Sequence, residues 1–365
     1  MSRSAPQLKS SQIPLVGIAR LAAQSLSLIS KSAATYFGIE TRSVLNRCSN
    51  PNLPFYWTIN PYRGCEFGCK YCYARYTHEY MGMEDGQDFE RKIYNKINAA
   101  RILARELTAE RLRNRPIAIG TATDPYQPAE RKFGTTRSIL EVIAFHRNID
   151  VSITTKSPLV TRDLDLLRDL NGRCRLHVNM TVTTLDPGLA RKLEPKAPVP
   201  ELRLEAVRRL AEEGIQVGVN VMPVLPWITD SPCDLVELAK AAQRAGASYL
   251  SARPLFLTLA SRKIFLPFLE SEFPALLKRY RGVYDRSPYV PEEYGRRFKA
   301  VLKRVLAERG LRSTPDKHFT GYREDLEARQ LELFARGWEQ TTRPVLISAE
   351  RPGIQEPFEG EASDR

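Results

Sequence analysis

Residues 59–80 read INPYRGCEFGCKYCYARYTHEY and place three of the chain's six cysteines, Cys65, Cys69 and Cys72, within eight positions. Thiolates this close in sequence can curl round one inorganic centre if the backbone turns tightly, and Gly64 and Gly68 supply that freedom. Structural zinc takes four ligands; the nearest further donor, His78, gives C-x3-C-x2-C-x5-H, which matches none of the usual zinc spacings. A four-iron cluster normally takes four cysteines, so three leave one iron with an open position where a ligand can bind and react. Three unrelated free thiols are the remaining reading, and their density in a chain with six cysteines weighs against it.

Around this stretch, short β-branched runs alternate with helical patterns. FYWTIN (55–60), PIAIGT (116–121), DVSITT (150–155), RLHVNMTV (175–182), IQVGVNV (215–221) and ASYLSA (247–252) read as strands. Leu164, Leu167 and Leu170 recur at helical spacing before Asn171-Gly172, as do Leu204, Val207 and Leu210 before Gly214. Asp186-Pro187 and Ser231-Pro232 each pair an N-cap residue with proline at the first helical position, where its missing N–H costs nothing. Six strands alternating with helices imply an α/β fold with a parallel sheet, either open or a partly closed barrel. The division expected is an N-terminal arm, partly disordered, over 1–53, a core over 54–260, a mostly helical extension over 261–337 and a disordered tail over 338–365.

The chain has 55 Lys and Arg against 42 Asp and Glu, a formal charge of +13, which favours an anionic partner such as nucleic acid. The cysteines do not form the even framework of a small secreted protein, so a reducing cytoplasm is expected. No apolar run approaches the roughly 20 residues that cross a bilayer, and no membrane association is expected. The first 39 residues hold four basic residues and no acid; an arm rather than a transit peptide is the preferred reading.

CEFGCKYC, with an aromatic residue before the third cysteine, resembles the cluster loop of the radical S-adenosylmethionine superfamily. NPYRGCEFGCKYCYAR, GTATDPYQPAE, TTKSPLVTRDLDLL, VTTLDPGLARKLEP and MPVLPWITD extend the resemblance over roughly residues 40–260 and resemble the branch related to spore photoproduct lyase. The resemblance implies a partial (β/α)6 TIM-like barrel. It implies a 4Fe-4S cluster on Cys65, Cys69 and Cys72, with S-adenosylmethionine chelated to the unique iron and cleaved to a 5'-deoxyadenosyl radical that abstracts hydrogen. It also implies a one-electron reductant such as ferredoxin or flavodoxin.

In α/β barrels the reactive groups lie at the C-terminal ends of the strands. The cysteines follow the first strand, Thr121, Thr123 and Asp124 the second, and Lys156 the third; Thr181, Thr183 and Thr184 end the fourth. Met222 and Pro223 follow the fifth and Arg253 the sixth. Against the family's pattern, Lys156 is expected to meet the S-adenosylmethionine carboxylate, and Thr123 and Asp124 the methionyl amine or ribose. Asn179 and Thr181 are expected at the ribose or carboxylate, Tyr71 near the adenine, Met222 and Pro223 as its apolar wall, and Tyr73 as a catalytic residue beside the radical.

One departure matters. The lyase carries a hydrogen-returning cysteine in a C-x-S-D stretch after its second strand, and this chain has TATD with Thr121 in that place. A threonine O–H bond is too strong to donate hydrogen easily, so either Tyr73 donates alone or the substrate differs. Cys174 is expected at the wrong end of its strand to substitute. Arg101, Arg105, Arg111, Arg113 and Arg115, with KRYRG and RRFKAVLKR, keep nucleic acid open as a substrate. Two other readings stay open on the residues alone: a zinc-containing nucleic-acid-binding protein, and an iron-sulfur protein without turnover.

Overall fold

A computed structural model describes residues 16–30, 34–108, 112 and 115–316. Eleven strands are present among them: β1 (Leu26–Ser30), β2 (Thr35–Ile39), β3 (Asn46–Arg47), β4 (Trp57–Ile59), β5 (Tyr62–Arg63), β6 (Lys92–Lys96), β7 (Ile117–Ile119), β8 (Asp150–Thr155), β9 (Arg175–Thr181), β10 (Gln216–Val224) and β11 (Tyr249–Pro254). The larger sheet has the order β11-β10-β9-β8-β7-β4-β3. From β4 to β11 all its neighbours are parallel, and β3 closes one edge antiparallel. All six strands read from the sequence form this parallel array in chain order, the arrangement that right-handed crossovers generate. The array is an open arc with β11 and β3 at its edges.

Alternation along the strands divides the sheet into two unlike faces. In β9, Leu176, Val178 and Met180 are buried while His177 and Asn179 are half-buried; in β8, Val151 and Ile153 are buried while Ser152 and Thr154 are half-buried. The apolar set packs in one core with Leu167 and Leu170 of the helix Leu164–Arg173 and Val207 and Leu210 of the helix Pro200–Glu212. Burying such side chains is worth about 1.5–3 kcal/mol each, and this layer holds the arc together. The opposite, concave face is polar. Tyr249 lies across it over Gly218, where a Cβ would come within 2.1 Å of the ring, and its hydroxyl donates to Asn179 Oδ1 at 2.7 Å.

The two proline-marked helix starts are real caps. Asp186 Oδ1 accepts from the Gly188 and Leu189 N–H groups, and Ser231 Oγ from the Asp234 N–H. The first leucine-marked helix runs through Asn171-Gly172 to Arg173, because glycine in a helix costs only about 1 kcal/mol where Leu167 and Leu170 pack.

Two expectations need correction. The partly disordered arm expected at 1–53 is built into the fold from residue 34 onward: β2 pairs with β6 in a second sheet of order β1-β2-β6-β5, and Val44 and Leu45 are buried in the main core. Its basic, serine-rich composition hid a strand whose partner lies more than fifty residues downstream. Met222-Pro223 and Arg253 lie within β10 and β11 rather than after them; the β10–β11 ladder shifts register between Val221 and Val224, and the Met222–Pro223 peptide is cis. Of the 261–337 extension, the described part holds the helices Leu259–Glu272, Pro274–Tyr284 and Glu292–Arg309. The 338–365 tail, together with Arg111 and Arg113 of the basic stretch, lies outside the described residues.

Candidate radical-chemistry site

The cysteine loop leaves β5 and turns twice in the left-handed region, at Gly64 (φ +82°) and Gly68 (φ +65°). Gly64 is obligatory, since a Cβ there would sit 2.8 Å from both the Lys92 and Phe89 carbonyl oxygens. Cys65 N–H donates to Phe89 O at 2.9 Å, and Lys70 N–H to Leu193 O at 2.9 Å. Thr123 Oγ donates to Gly64 O at 2.6 Å; Gln127 donates to the same carbonyl at 3.0 Å and accepts from the Glu66 N–H at 3.0 Å. The segment after β7 thus clamps the loop to the rim.

Cys65, Cys69 and Cys72 are free thiols packed against Phe67, Leu193, Leu225, Leu255 and Phe265. Burial raises all three thiol pKa values, Cys69 to about 12, while the Lys156 charge acts downward on Cys69 and Cys72. Among the described residues, no three Cys, His, Asp or Glu side chains converge as a single-ion site. His78 is not the missing fourth donor: it is buried with Nε2 bonded to Lys92 O at 2.9 Å and its ring against Phe89 and Tyr94. The zinc reading therefore loses its ligand set. Three thiols on one apolar loop suit a 4Fe-4S cluster, in which each thiolate binds a different iron and does not meet its neighbours at one point.

Asp124 joins this loop to the end of β8. Its Oδ1 accepts from Thr155 Oγ (2.6 Å) and Tyr126 N–H (2.9 Å), and its Oδ2 from Lys156 N–H (2.7 Å). Burial raises its pKa. The hydrogen-bonding groups of Thr123 and Asp124 are thus engaged with the rim itself. Lys156 is half-buried, with Nζ 5.7 Å from the centre of the Tyr71 ring. Burial works against its charge, but Cys69 and Glu194 outweigh that and hold its pKa above the ordinary lysine value.

Behind the loop lies a buried charge network that sequence reasoning missed. Tyr71 is buried and its hydroxyl donates to Glu194 Oε1, which also accepts from Thr183 Oγ at 3.2 Å; Glu194 Oε2 pairs with Arg203 Nη2. Arg203 further donates to Thr181 O at 3.0 Å and Pro198 O at 2.7 Å. Burial alone would raise the Glu194 pKa; the Arg203 and Lys156 charges prevail and hold it below the ordinary range. Glu194 stands inside the quoted VTTLDPGLARKLEP, but nothing local marks a Glu before Pro as buried.

Tyr73 directly follows the third cysteine and is exposed. Its hydroxyl donates to Thr121 O and its ring meets Phe256 edge-on at 6.3 Å. Asn179 lies on the concave face, its Oδ1 engaged by Tyr249; Thr181 is buried, and Met222 and Pro223 are half-buried. Cys174 directly precedes β9, at the end of the sheet opposite the rim. Cys48 follows β3, half-buried, and Cys233 is exposed.

A family model described as the radical SAM superfamily matches residues 59–239. An uncharacterized protein of Mycobacterium tuberculosis is 35% identical over 275 residues, 75% of this chain and 81% of that one. An uncharacterized protein of Methanocaldococcus jannaschii is 28% identical over 240 residues, 65% of this chain and 83% of that one. A solved spore photoproduct lyase variant with bound AdoMet and dinucleoside spore photoproduct shares the fold, with a TM-score of 0.56, 15% identity, and 84% and 85% of the two chains covered. Another variant of that lyase gives a TM-score of 0.57 at 16% identity, with 82% and 85% covered. On its loop, its parallel arc and these matches, the chain belongs to the radical S-adenosylmethionine superfamily and is an enzyme that uses a 4Fe-4S cluster and S-adenosylmethionine.

Proposed function

We propose that this enzyme abstracts a hydrogen atom from a nucleic-acid substrate, in a reaction related to that of spore photoproduct lyase. The observation that carries this reading is an aromatic row beside the cysteine loop. Tyr73 meets Phe256 edge-on, and Phe256 packs on Tyr289 with ring centres 4.8 Å apart. Tyr73 and Tyr289 are 41% and 59% exposed, a large apolar surface to leave in water. Arg253 and Arg286, each three residues before a member of the row, are exposed as well. Exposed aromatic rings with exposed arginines close by in sequence suit base stacking with phosphate contact. The solved lyase that holds a dinucleoside photoproduct on the same fold is in keeping with this substrate class.

Bound S-adenosylmethionine and the cluster together supply the primary radical; the chain's own residues do the rest. Cys65, Cys69 and Cys72 hold the cluster, Lys156 offers its ammonium to the methionyl carboxylate, and Thr123 and Asp124 fix the loop and the Lys156 backbone. Tyr71 and the concave-face residues Asn179 and Thr181 border the nucleoside end, with Met222 and Pro223 as its wall. Tyr73, beside Thr121, is the catalytic residue facing the substrate. With threonine in place of the lyase's cysteine, the hydrogen-return step differs from the lyase's.

The test is anaerobic reconstitution with iron and sulfide, the EPR spectrum of the reduced protein with and without S-adenosylmethionine, then fluorescence anisotropy with labelled single-stranded and duplex oligonucleotides at low salt. The expected result is a cluster signal altered by S-adenosylmethionine and oligonucleotide binding weakened by salt, by Phe256→Ala and by Arg253→Ala. No binding above background to either oligonucleotide would remove nucleic acid as the substrate.

A further inference from the structure

On the flank of the cysteine loop, apart from the aromatic row, lies a cavity of about 700 Å3. Its rim carries Lys70, Arg191, Lys192 and Lys263 against two acids, Glu90 and Glu272. Both acids are already engaged: Glu90 with Arg75 at 2.7 Å and Glu272 with Lys192 at 2.8 Å. Lys263 pairs with Glu79 at 2.7 Å, whereas Lys70 has no ion pair among the described residues. Ile264, Pro267 and Phe268 of the helix Leu259–Glu272 give the cavity an apolar floor.

We infer that this cavity is the docking surface of an acidic, protein-borne one-electron carrier, of the flavodoxin or small ferredoxin class. The inference rests on the radical-enzyme reading of the cysteine loop. Three observations converge on it. First, Lys70 lies between Cys69 and Cys72, so the rim is part of the loop that holds the redox centre. Second, the wall between cavity and loop is thin: Arg75 donates to Cys69 O at 2.9 Å with the guanidinium nitrogen that pairs with Glu90 on the rim. Electron transfer weakens steeply with distance, so a carrier has to come close to the thiols, and the substrate-facing side is occupied by Tyr73 and Phe256. Third, an apolar floor inside a cationic rim is the anatomy of a protein interface, and it complements an acidic partner in charge. In the step itself one electron leaves the reduced carrier, which is oxidised, and enters the centre held by the cysteines; no bond forms and no proton moves.

The test uses the full-length holoprotein, an acidic flavodoxin and the double variant Lys192→Glu/Lys263→Glu, whose substitutions lie on the rim and not among the cysteines or the residues that face substrate. Binding is measured by calorimetry across ionic strength, and reduction of the centre by stopped-flow absorbance with flavodoxin hydroquinone and, separately, with dithionite. Charge reversal is expected to weaken flavodoxin binding at low salt by about tenfold or more, to flatten its salt dependence, and to slow reduction by flavodoxin while leaving reduction by dithionite unchanged. Flavodoxin binding and reduction that match the parent protein in the double variant would overturn the docking surface. So would parent binding that is indifferent to salt. Failure of the parent to assemble a centre reducible by dithionite would instead strike the radical-enzyme reading, and the calorimetric arm would still report on the docking surface.

Discussion

Glu194 and Arg203 form an ion pair behind the cysteine loop in which both side chains are 1% exposed or less. The pair ties the segment after β9 to the helix Pro200–Glu212, and through the Tyr71 hydroxyl it reaches the loop itself. A buried charge that loses its partner is far costlier than the intact pair is favourable. Glu194→Gln is therefore expected to destabilise the fold by about 3–5 kcal/mol in urea unfolding. Arg203→Met added to Glu194→Gln is expected to recover part of that loss. A single-variant cost under about 1 kcal/mol would contradict the burial of the pair.

The same carboxylate sets an acid limit. Because its folded pKa lies below the ordinary carboxylate value of 4.5, the Glu194 contribution is fully present above pH 4.5 and is lost as pH falls through the lower folded value. Urea midpoints measured from pH 6 down to about pH 3 are expected to fall more steeply in the parent than in Glu194→Gln.

His78 acts at higher pH. Burial lowers its pKa from 6.5 to about 4, so between those values the unfolded chain binds a proton that the folded chain does not. Stability is expected to decline as pH falls from 6.5 toward 4, and His78→Phe to flatten that slope. An equal slope in the variant would place the responsible group elsewhere.

Lys156 lies over Tyr71, and its charge acts on two of the three thiols, Cys69 and Cys72. Lys156→Met is expected to weaken S-adenosylmethionine binding about 10- to 100-fold, the worth of one charge-assisted hydrogen bond, with iron content unchanged. Equilibrium dialysis with labelled S-adenosylmethionine reads the first quantity and a colorimetric iron assay the second. Unaltered affinity would remove Lys156 from the carboxylate.

Gly218→Ala tests the packing of the concave face. The added methyl would collide with the Tyr249 ring, so a loss of about 1–3 kcal/mol is expected. Tyr249→Ala opens the space, and the double variant is expected to be more stable than the two single losses added together. Strict additivity would mean that Tyr249 does not lie over Gly218 in solution.

What the sequence by itself determined was periodic or locally capped. Alternating β-branched residues marked all six parallel strands, since each strand buries one face against helices and period two records that burial. Asp186-Pro187 and Ser231-Pro232 marked helix starts because a cap is made within four residues. The C-x3-C-x2-C spacing marked the loop proposed to hold the cluster because its three thiols come from one short stretch of chain. Tertiary structure alone decided the rest. β2 is a strand because β6 accepts it across more than fifty residues, and Glu194 is a partner of Arg203 because two helices bring them together out of water. Thr123 and Asp124 read as polar groups at a strand end, and it is the fold that brings them onto Gly64, Thr155 and Lys156. A side chain's type and strand-end position are written locally, but which of several polar neighbours takes its hydrogen bond is set by contacts between segments distant in the chain.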